Sequence, residues 1–480
     1  MRILLVTGRQ AYPIVKELAK DRADVLMLDI GIAAFTTPKL LERSLADRKN
    51  DYDLVLVTGL ATSDFSGLEK KSGVKIRLGP KQAYDIPLTL EYADKIEFSH
   101  KVPADQLLAD VKRESALNDF AAIEESASYA FLLKGVKVGG TSTMKVVAEV
   151  ADATKLPDTD LVSKINSYAA ADVIDLGIPL ESSEDAVRHA VRVARSATLK
   201  PVSVDTLIPE YISAGVDEGA SLVLSLNGSN LDTVGPLIAG KKVAAVIIPD
   251  DESLEELFRN IKKARELGID NILADPILSP VGHGFAVSLE RYREFRRWEP
   301  DIPLFFGAGN VTELMDADSI GVNALLAGIA MELSVSALFT TEASHKTVNS
   351  AAELKTACMM MALAGRRKNS PKDLGIDLLV IKEKRARKDI IEKGTVIQAK
   401  RHQWKLDPAG SFNIFIDNGK IYAKNGDLTV VGDDPQAIID TLADMGLVSM
   451  LDHGGYLGKE LEKAHLAIRF KRSYLQDDKF

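Results

Sequence analysis

The stretch of the chain best suited to chemistry is Lys200-Pro201-Val202-Ser203-Val204-Asp205-Thr206. A run of small and β-branched residues delivers an acid just ahead of the helix-spaced segment Pro209–Ala220. An α/β barrel equips its mouth in this way, with a carboxylate at the C-terminal end of a strand. Corresponding positions along the chain hold Asp175, Asp205, Asn227, Asp275, Asn310 and Glu342, with Thr141, Ser142 and Thr143 after the first expected strand. No His cluster or Cys pair accompanies them, so the set does not suggest a zinc site. Acids and amides suit a ring that presents N–H donors, because one carboxylate accepts two such bonds. An Asp before a helix is also a good N-cap. For three acids at strand ends together, ligand recognition is the stronger reading.

The elements that must position these residues follow a regular rhythm. Strands are expected at Val136–Thr141, Val173–Gly177, Val202–Asp205, Leu222–Leu226, Val243–Ile248, Ile272–Asp275, Leu304–Gly307 and Ala337–Thr341. Helix-patterned segments such as Glu184–Arg195, Ser253–Leu267 and Val287–Trp298 separate them. This predicts a TIM (β/α)8 barrel over residues 117–370. Residues 1–105 read as an open parallel α/β domain with strands Ile3–Thr7, Val25–Asp29 and Leu54–Val57. Its strand-end loop Thr7–Ala11 matches neither a dinucleotide fingerprint nor a phosphate loop, so Gly8 reads as a turn glycine. Thr58–Phe65 is a similar strand-end loop that could face a ligand at the switch point of such a sheet. Residues 371–408 read as a strand, Leu378–Ile381, followed by a linker that contains the charge run Lys382–Asp389. Residues 409–480 read as a small α+β domain with strands Phe412–Ile416, Lys420–Ala423 and Leu428–Val431, then helices Pro435–Met445 and Gly458–Ile468. His453-Gly454-Gly455 is expected as a turn and cap ahead of the last helix.

Composition narrows the function. The 480 residues are 46% hydrophobic and 27% charged, with a net charge of −9, which argues for a soluble globular protein and against a nucleic-acid partner. No apolar run is long enough for a membrane span. The first residues read as a strand and not as a signal peptide. The single cysteine, Cys358, lies in an apolar helical run, where core packing is the favoured role; one cysteine allows no intramolecular disulfide and fits the cytoplasm.

Three motifs carry a resemblance. Pro201-Val202-Ser203-Val204-Asp205-Thr206 resembles the third barrel strand of the pterin-binding family, Ala170-Ala171-Asp172-Val173-Ile174-Asp175-Leu176-Gly177 its second, and Ile272-Leu273-Ala274-Asp275-Pro276 its sixth. That family includes dihydropteroate synthases and pterin-dependent corrinoid methyltransferases. The resemblance implies that Asp175 and Asp205 bind a reduced pterin of folate or tetrahydromethanopterin type, and that Asp275 grips its 2-amino group and N3. Gly307-Ala308-Gly309-Asn310-Val311-Thr312 is similar to the methyltransferase loop, whose Asn reaches N5. The chain departs from the synthases in lacking their Arg after strand two and Lys after strand seven, and Leu224 stands where their fourth-strand Asn would be, with Asn227 three residues later. The whole layout, including Thr341–Thr347 and the C-terminal His-Gly-Gly-Tyr-Leu-Gly-Lys-Glu, resembles the dihydropteroate synthase-related proteins of archaea.

The implied function is a transferase that joins a dihydropterin-methyl group to an arylamine. Methyl transfer between a methyl-pterin and a corrinoid protein is the runner-up, and a non-catalytic pterin binder the third reading. A synthase needs a cation for departing pyrophosphate. Lys346, after strand eight, is the candidate, with His345 and bound Mg2+ as alternatives. A homo-oligomer is expected.

Overall fold

The computed structural model describes residues 1–45, 51–382, 395, 397–401, 403 and 405–479. The chain divides into two compact units, Met1–Glu342 with Asn349–Val380, and Ala343–Val348 with Ile381–Phe480.

The first unit opens with strands β1 (Ile3–Thr7), β2 (Asp24–Met27), β3 (Leu54–Val57) and β4 (Lys75–Leu78), all parallel in the order β2-β1-β3-β4. The sequence pattern predicts three of these and misses β4, whose polar Lys75 and Arg77 interrupt the apolar run. Strands β1 and β3 are continuously apolar because both faces are covered. Leu4, Val6, Val55 and Val57 pack with Leu41 and Leu68, while Ile3, Leu5, Leu54 and Leu56 pack with Val15 and Ile86.

The unit continues with the hairpin β5 (Phe131–Leu133) and β6 (Val136–Val138). Eight parallel strands follow: β7 (Lys145–Val150), β8 (Val173–Gly177), β9 (Val202–Asp205), β10 (Leu222–Leu226), β11 (Ala244–Ile247), β12 (Ile272–Ala274), β13 (Phe305–Gly307) and β14 (Ala337–Thr341). Neighbours run in chain order except that β14 pairs with β7, and a parallel bridge from Ala274 to Leu304 closes the ring between β12 and β13. The α/β class, the barrel and the small C-terminal α+β fold are as expected from sequence. Helices such as Glu184–Ala197 and Leu254–Glu266 form the outer layer. Ser183 and Ser253 cap them by accepting from Ala186 N and Glu256 N.

The first barrel strand differs from the expectation. Val136–Val138 does not start the barrel but pairs antiparallel with Phe131–Leu133. Lys134 and Gly135 both have positive φ, 43° and 88°, as a type I′ hairpin turn requires. Phe131, Leu133 and Val138 pack against Val173, Leu222, Phe305 and Ala337, the inward residues at the strand starts, so the hairpin seals the N-terminal end of the barrel. A Cβ on Gly140 would lie 2.6 Å from the Ser128 carbonyl, so glycine lets this plug sit close.

The second unit contains an antiparallel sheet of β15 (Asn413–Asp417), β16 (Lys420–Asn425) and β17 (Leu428–Gly432), covered by helices Pro435–Asp444 and Leu451–Arg469. The last helix starts earlier than the sequence pattern suggests. His453, Gly454 and Gly455 lie inside it, and buried His453 Nδ1 bonds Asp407 Oδ2 at 2.8 Å. Leu378–Ile381 forms no strand, because no neighbouring strand pairs with it, and Val380 and Ile381 are exposed. Residues 383–389 of the charge run lie outside the described residues.

If the hairpin seals the barrel, Phe131→Ala should leave a cavity and cost about 3 kcal/mol or more. Urea unfolding measures this; a cost within experimental error would mean that the plug is dispensable.

Candidate functional site

Side chains alternate along each strand, so the apolar inward residues of the barrel bottom give way to polar ones near the C-terminal ends. On β7 the inward series is Lys145, Val147 and Glu149; on β8 it is Val173, Asp175 and Gly177. The register places Glu149 beside Asp175, Asp175 beside Ser203, and Gly177 beside Asp205. Gly177 has a steric reason to be glycine. A Cβ there would lie 2.2 Å from Glu149 Oε1. The missing side chain leaves the space that Glu149 fills.

Glu149, Asp175 and Asp205 each offer a carboxylate oxygen, all within 4.8 Å of one another. Asp175 is fully buried. Its Oδ1 accepts from Ser203 Oγ at 2.5 Å, and its Oδ2 has no partner. Asp275, just past β12, closes the group. Its Oδ1 accepts from Tyr292 Oη at 2.5 Å and from Ile277 N at 2.8 Å, which leaves Oδ2 for a ligand. Arg291 holds the following loop through the Pro276 and Ile277 carbonyls and Ser279 Oγ.

Crowding in a desolvated layer sets the protonation of these acids. Burial pushes the Asp175 carboxyl well above the usual range, with Asp205 and Glu149 adding like charge. Burial, then Glu149 and Asp275, push Asp205 up to about 7. Burial raises Asp275 to about 6 against the opposing effect of Tyr292, the Ile277 amide and Arg291. Glu149 is raised, again mainly by burial. Near neutral pH the layer therefore holds fewer charges than carboxyl groups, and protons are shared among them.

The structure sorts the predicted site residues. Asp175, Asp205 and Asp275 meet at one mouth. Asn310, in the turn after β13, is exposed near Gly307, and its Nδ2 donates to the Leu278 carbonyl at 2.9 Å, which leaves Oδ1 as an acceptor. Asn227 is buried just past β10, with Oδ1 engaged by Ser229 N and Oγ in a helix-starting turn. Glu342 does not join the site. The residue after Thr341 points outward, and its carboxylate pairs with Lys164 Nζ at 3.1 Å and accepts from Ala351 N at 3.2 Å. It caps helix Ser350–Arg367, the alternative open to any acid before a helix. Thr141 and Ser142 lie at the opposite end of the barrel, because they precede β7 instead of following a strand. Thr141 bonds Ser128, and Ser142 Oγ bonds the Gly139 carbonyl at 2.8 Å. Thr143 is likewise at that end, donating to Glu124. Lys346 belongs to the second unit, in the turn His345–Thr347. Cys358 is buried in helix Ser350–Arg367, and burial pushes its thiol up to about 12, as fits a core residue.

Sequence reasoning misses Glu149. With the first strand placed at Val136, its true end goes unread, although Lys145-Val146-Val147-Ala148-Glu149 is an apolar run that delivers an acid, like Val202–Asp205.

A carboxyl whose folded pKa is raised stabilises the fold while protonated. That contribution is intact below its ordinary pKa near about 4 and is lost as pH rises to the folded value. The ligand-free protein should therefore lose stability between about pH 4 and 7. Asp175→Asn, which keeps an acceptor for Ser203, should be more stable than wild type at pH 8 by about 1–3 kcal/mol. Urea unfolding at pH 5 and 8 tests both; a variant less stable than wild type at pH 8 would show that the ionised carboxylate is satisfied.

Comparison with known proteins adds relatives. Residues 406–477 match a family model described as PterinBD-DUF4346. Solved structures with similar folds include Mycobacterium tuberculosis Rv1207 (16% identity, 49% of this chain and 98% of that one, TM-score 0.38). Dihydropteroate synthase from Thermus thermophilus (20%, 45% and 92%, TM-score 0.37) and that from Yersinia pestis (19%, 49% and 98%, TM-score 0.38) are others. The uncharacterized protein MJ0107 of Methanocaldococcus jannaschii is 38% identical over 99% of this chain and 98% of its own length. On that near-complete alignment, the chain belongs to the family of MJ0107.

Proposed function

We propose that the barrel mouth binds the 2-amino-4-oxo edge of a reduced pterin and that the protein is a dihydropteroate synthase-like transferase of folate or tetrahydromethanopterin metabolism. The observation that carries the reading is Asp275. Tyr292 and the Ile277 amide hold one of its oxygens, and it stands in the same layer as Asp205 and Asp175. A 2-amino group and the adjacent N3–H are two parallel donors, which an ionised carboxylate accepts together. The family model matched at the C-terminus, described as PterinBD-DUF4346, supports the same ligand class.

In this reading an arylamine nitrogen attacks the methylene carbon of a dihydropterin-methyl diphosphate. The new C–N bond forms as the C–O bond breaks, diphosphate leaves with the electron pair, and the amine's proton passes to water. The chain's own part is to fix the ring through Asp275 and Asp205 and so to align the two partners. Glu149, Asp175 and Asp205 are hard oxygen donors of the kind magnesium takes, and the ion would supply positive charge against the diphosphate.

Asn310 favours a second reading. Its Nδ2 is engaged by the Leu278 carbonyl, which leaves Oδ1 to accept from the N5–H of an N5-protonated methylpterin. In methyl transfer to a corrinoid protein the N5–CH3 bond would break as a Co–CH3 bond forms on Co(I), N5 would keep the electron pair and its proton, and no cation would be needed for a diphosphate.

Asp275→Asn should weaken reduced-pterin binding about tenfold or more, because an amide cannot present two acceptors. In the wild type, affinity should fall as pH drops below about 6, where Asp275 gains a proton. Calorimetric titration across pH 5–8 measures both, and unchanged affinity in the variant would sink the ring assignment. Pyrophosphate release by the wild type from a dihydropterin-methyl diphosphate and an arylamine would support the synthase reaction, and methyl transfer to cob(I)alamin lost in Asn310→Ala the second. A wild type that binds pterin but does neither would be a binding protein.

A further inference from the structure

The N-terminal sheet carries a site of its own. Strand β1 lies between β2 and β3: the chain passes from β1 to β2 on one side and then crosses back to β3 on the other, so the order of connections reverses between β1 and β3. At such a switch point a crevice opens outside the carboxyl ends of the strands. A cavity of about 380 Å³ lies there. Thr7, at the end of β1, Thr58, just past β3, and Gly79-Pro80, just past β4, line its floor. The loops that frame it are tightly apposed. A Cβ on Gly59 would lie 2.6 Å from the Gly79 carbonyl, and one on Gly8 would lie 2.9 Å from Ala33 N.

The lining defines the ligand's chemistry. Aliphatic side chains, among them Ile14, Val15 and Ile32, supply apolar walls, and Ile32 is left about half exposed. The lysine at the cavity, Lys81, is neutralised by Asp105 at 3.0 Å, with side-chain exposures of 7% and 4%. The remaining polar groups include three carboxamides, Gln10, Gln82 and Asn369. Gln82 gives Nε2 to Asp373 at 3.4 Å, which leaves its oxygen as acceptor. A carboxamide offers a donor and an acceptor side by side and so matches the edge of a nitrogen heterocycle, as Asn and Gln match adenine. Apolar walls with a few placed polar groups, at this volume, describe a small-molecule site.

We propose that this cavity binds an uncharged nitrogen heterocycle of purine size, as the base or its nucleoside, independently of the barrel mouth. The test is calorimetric titration of the full chain with adenosine and guanosine. At least one should bind saturably at one site. Gln10→Leu, at an exposed position, should weaken that binding about tenfold. Ala33→Trp, which fills the cavity, should abolish it. Asp275→Asn in the barrel should leave it unchanged, which separates this site from the proposed pterin site. The proposal is overturned if neither nucleoside saturates, if Gln10→Leu binds as tightly as wild type, or if the 5′-monophosphates bind more tightly than the nucleosides, since that would make the cavity an anion site.

Discussion

A closed ring of parallel strands has one inward face, and every second residue must point into it. At the bottom of this barrel that face is apolar and sealed by a hairpin, as Phe131 and Leu133 meet Val173, Leu222 and Phe305. At the top the same alternation brings Glu149, Asp175 and Asp205 within 4.8 Å, and Asp275 alongside. Acids in so small and desolvated a layer cannot all ionise. The site is a consequence of strand register, and the apolar packing below and around it offsets its electrostatic cost.

That cost has a direction. The groups that hold the acids are mostly neutral donors: Ser203 on Asp175, Tyr292 and the Ile277 amide on Asp275. They orient the carboxyls without supplying the full charge that would match them. A ligand with paired N–H donors, or a cation, would supply what is missing. Binding and relief of repulsion among the carboxyls would then be one event, the balance expected where a binding site is built at the expense of stability.

Much of this was legible in the sequence, and the failures have physical causes. Val202–Asp205 and Ile272–Asp275 announce themselves because a buried parallel strand is a continuous apolar run, and an acid at its end stands out. Glu149 was hidden by Val136–Val138, which has the same local composition as a barrel strand; only its partner across the Lys134-Gly135 turn makes it half of a hairpin. Thr141 and Ser142 followed that displacement to the wrong end of the barrel. Glu342 shows a different limit. An acid one residue past a strand faces in or out by parity, and Thr341, paired with Glu149, takes the inward place. Hydrogen bonds from distant residues, such as Tyr292 to Asp275, leave no local signature.

Whether the acid layer of the barrel is the proposed pterin-edge site is decided by a crystal structure of the protein with a reduced 2-amino-4-oxo pterin. The ring should lie in the mouth, with Asp275 within about 3 Å of both the exocyclic amine and N3, and Asp205 on the same ring. A pterin bound elsewhere, or in the mouth with its amino edge turned away from Asp275, would contradict it.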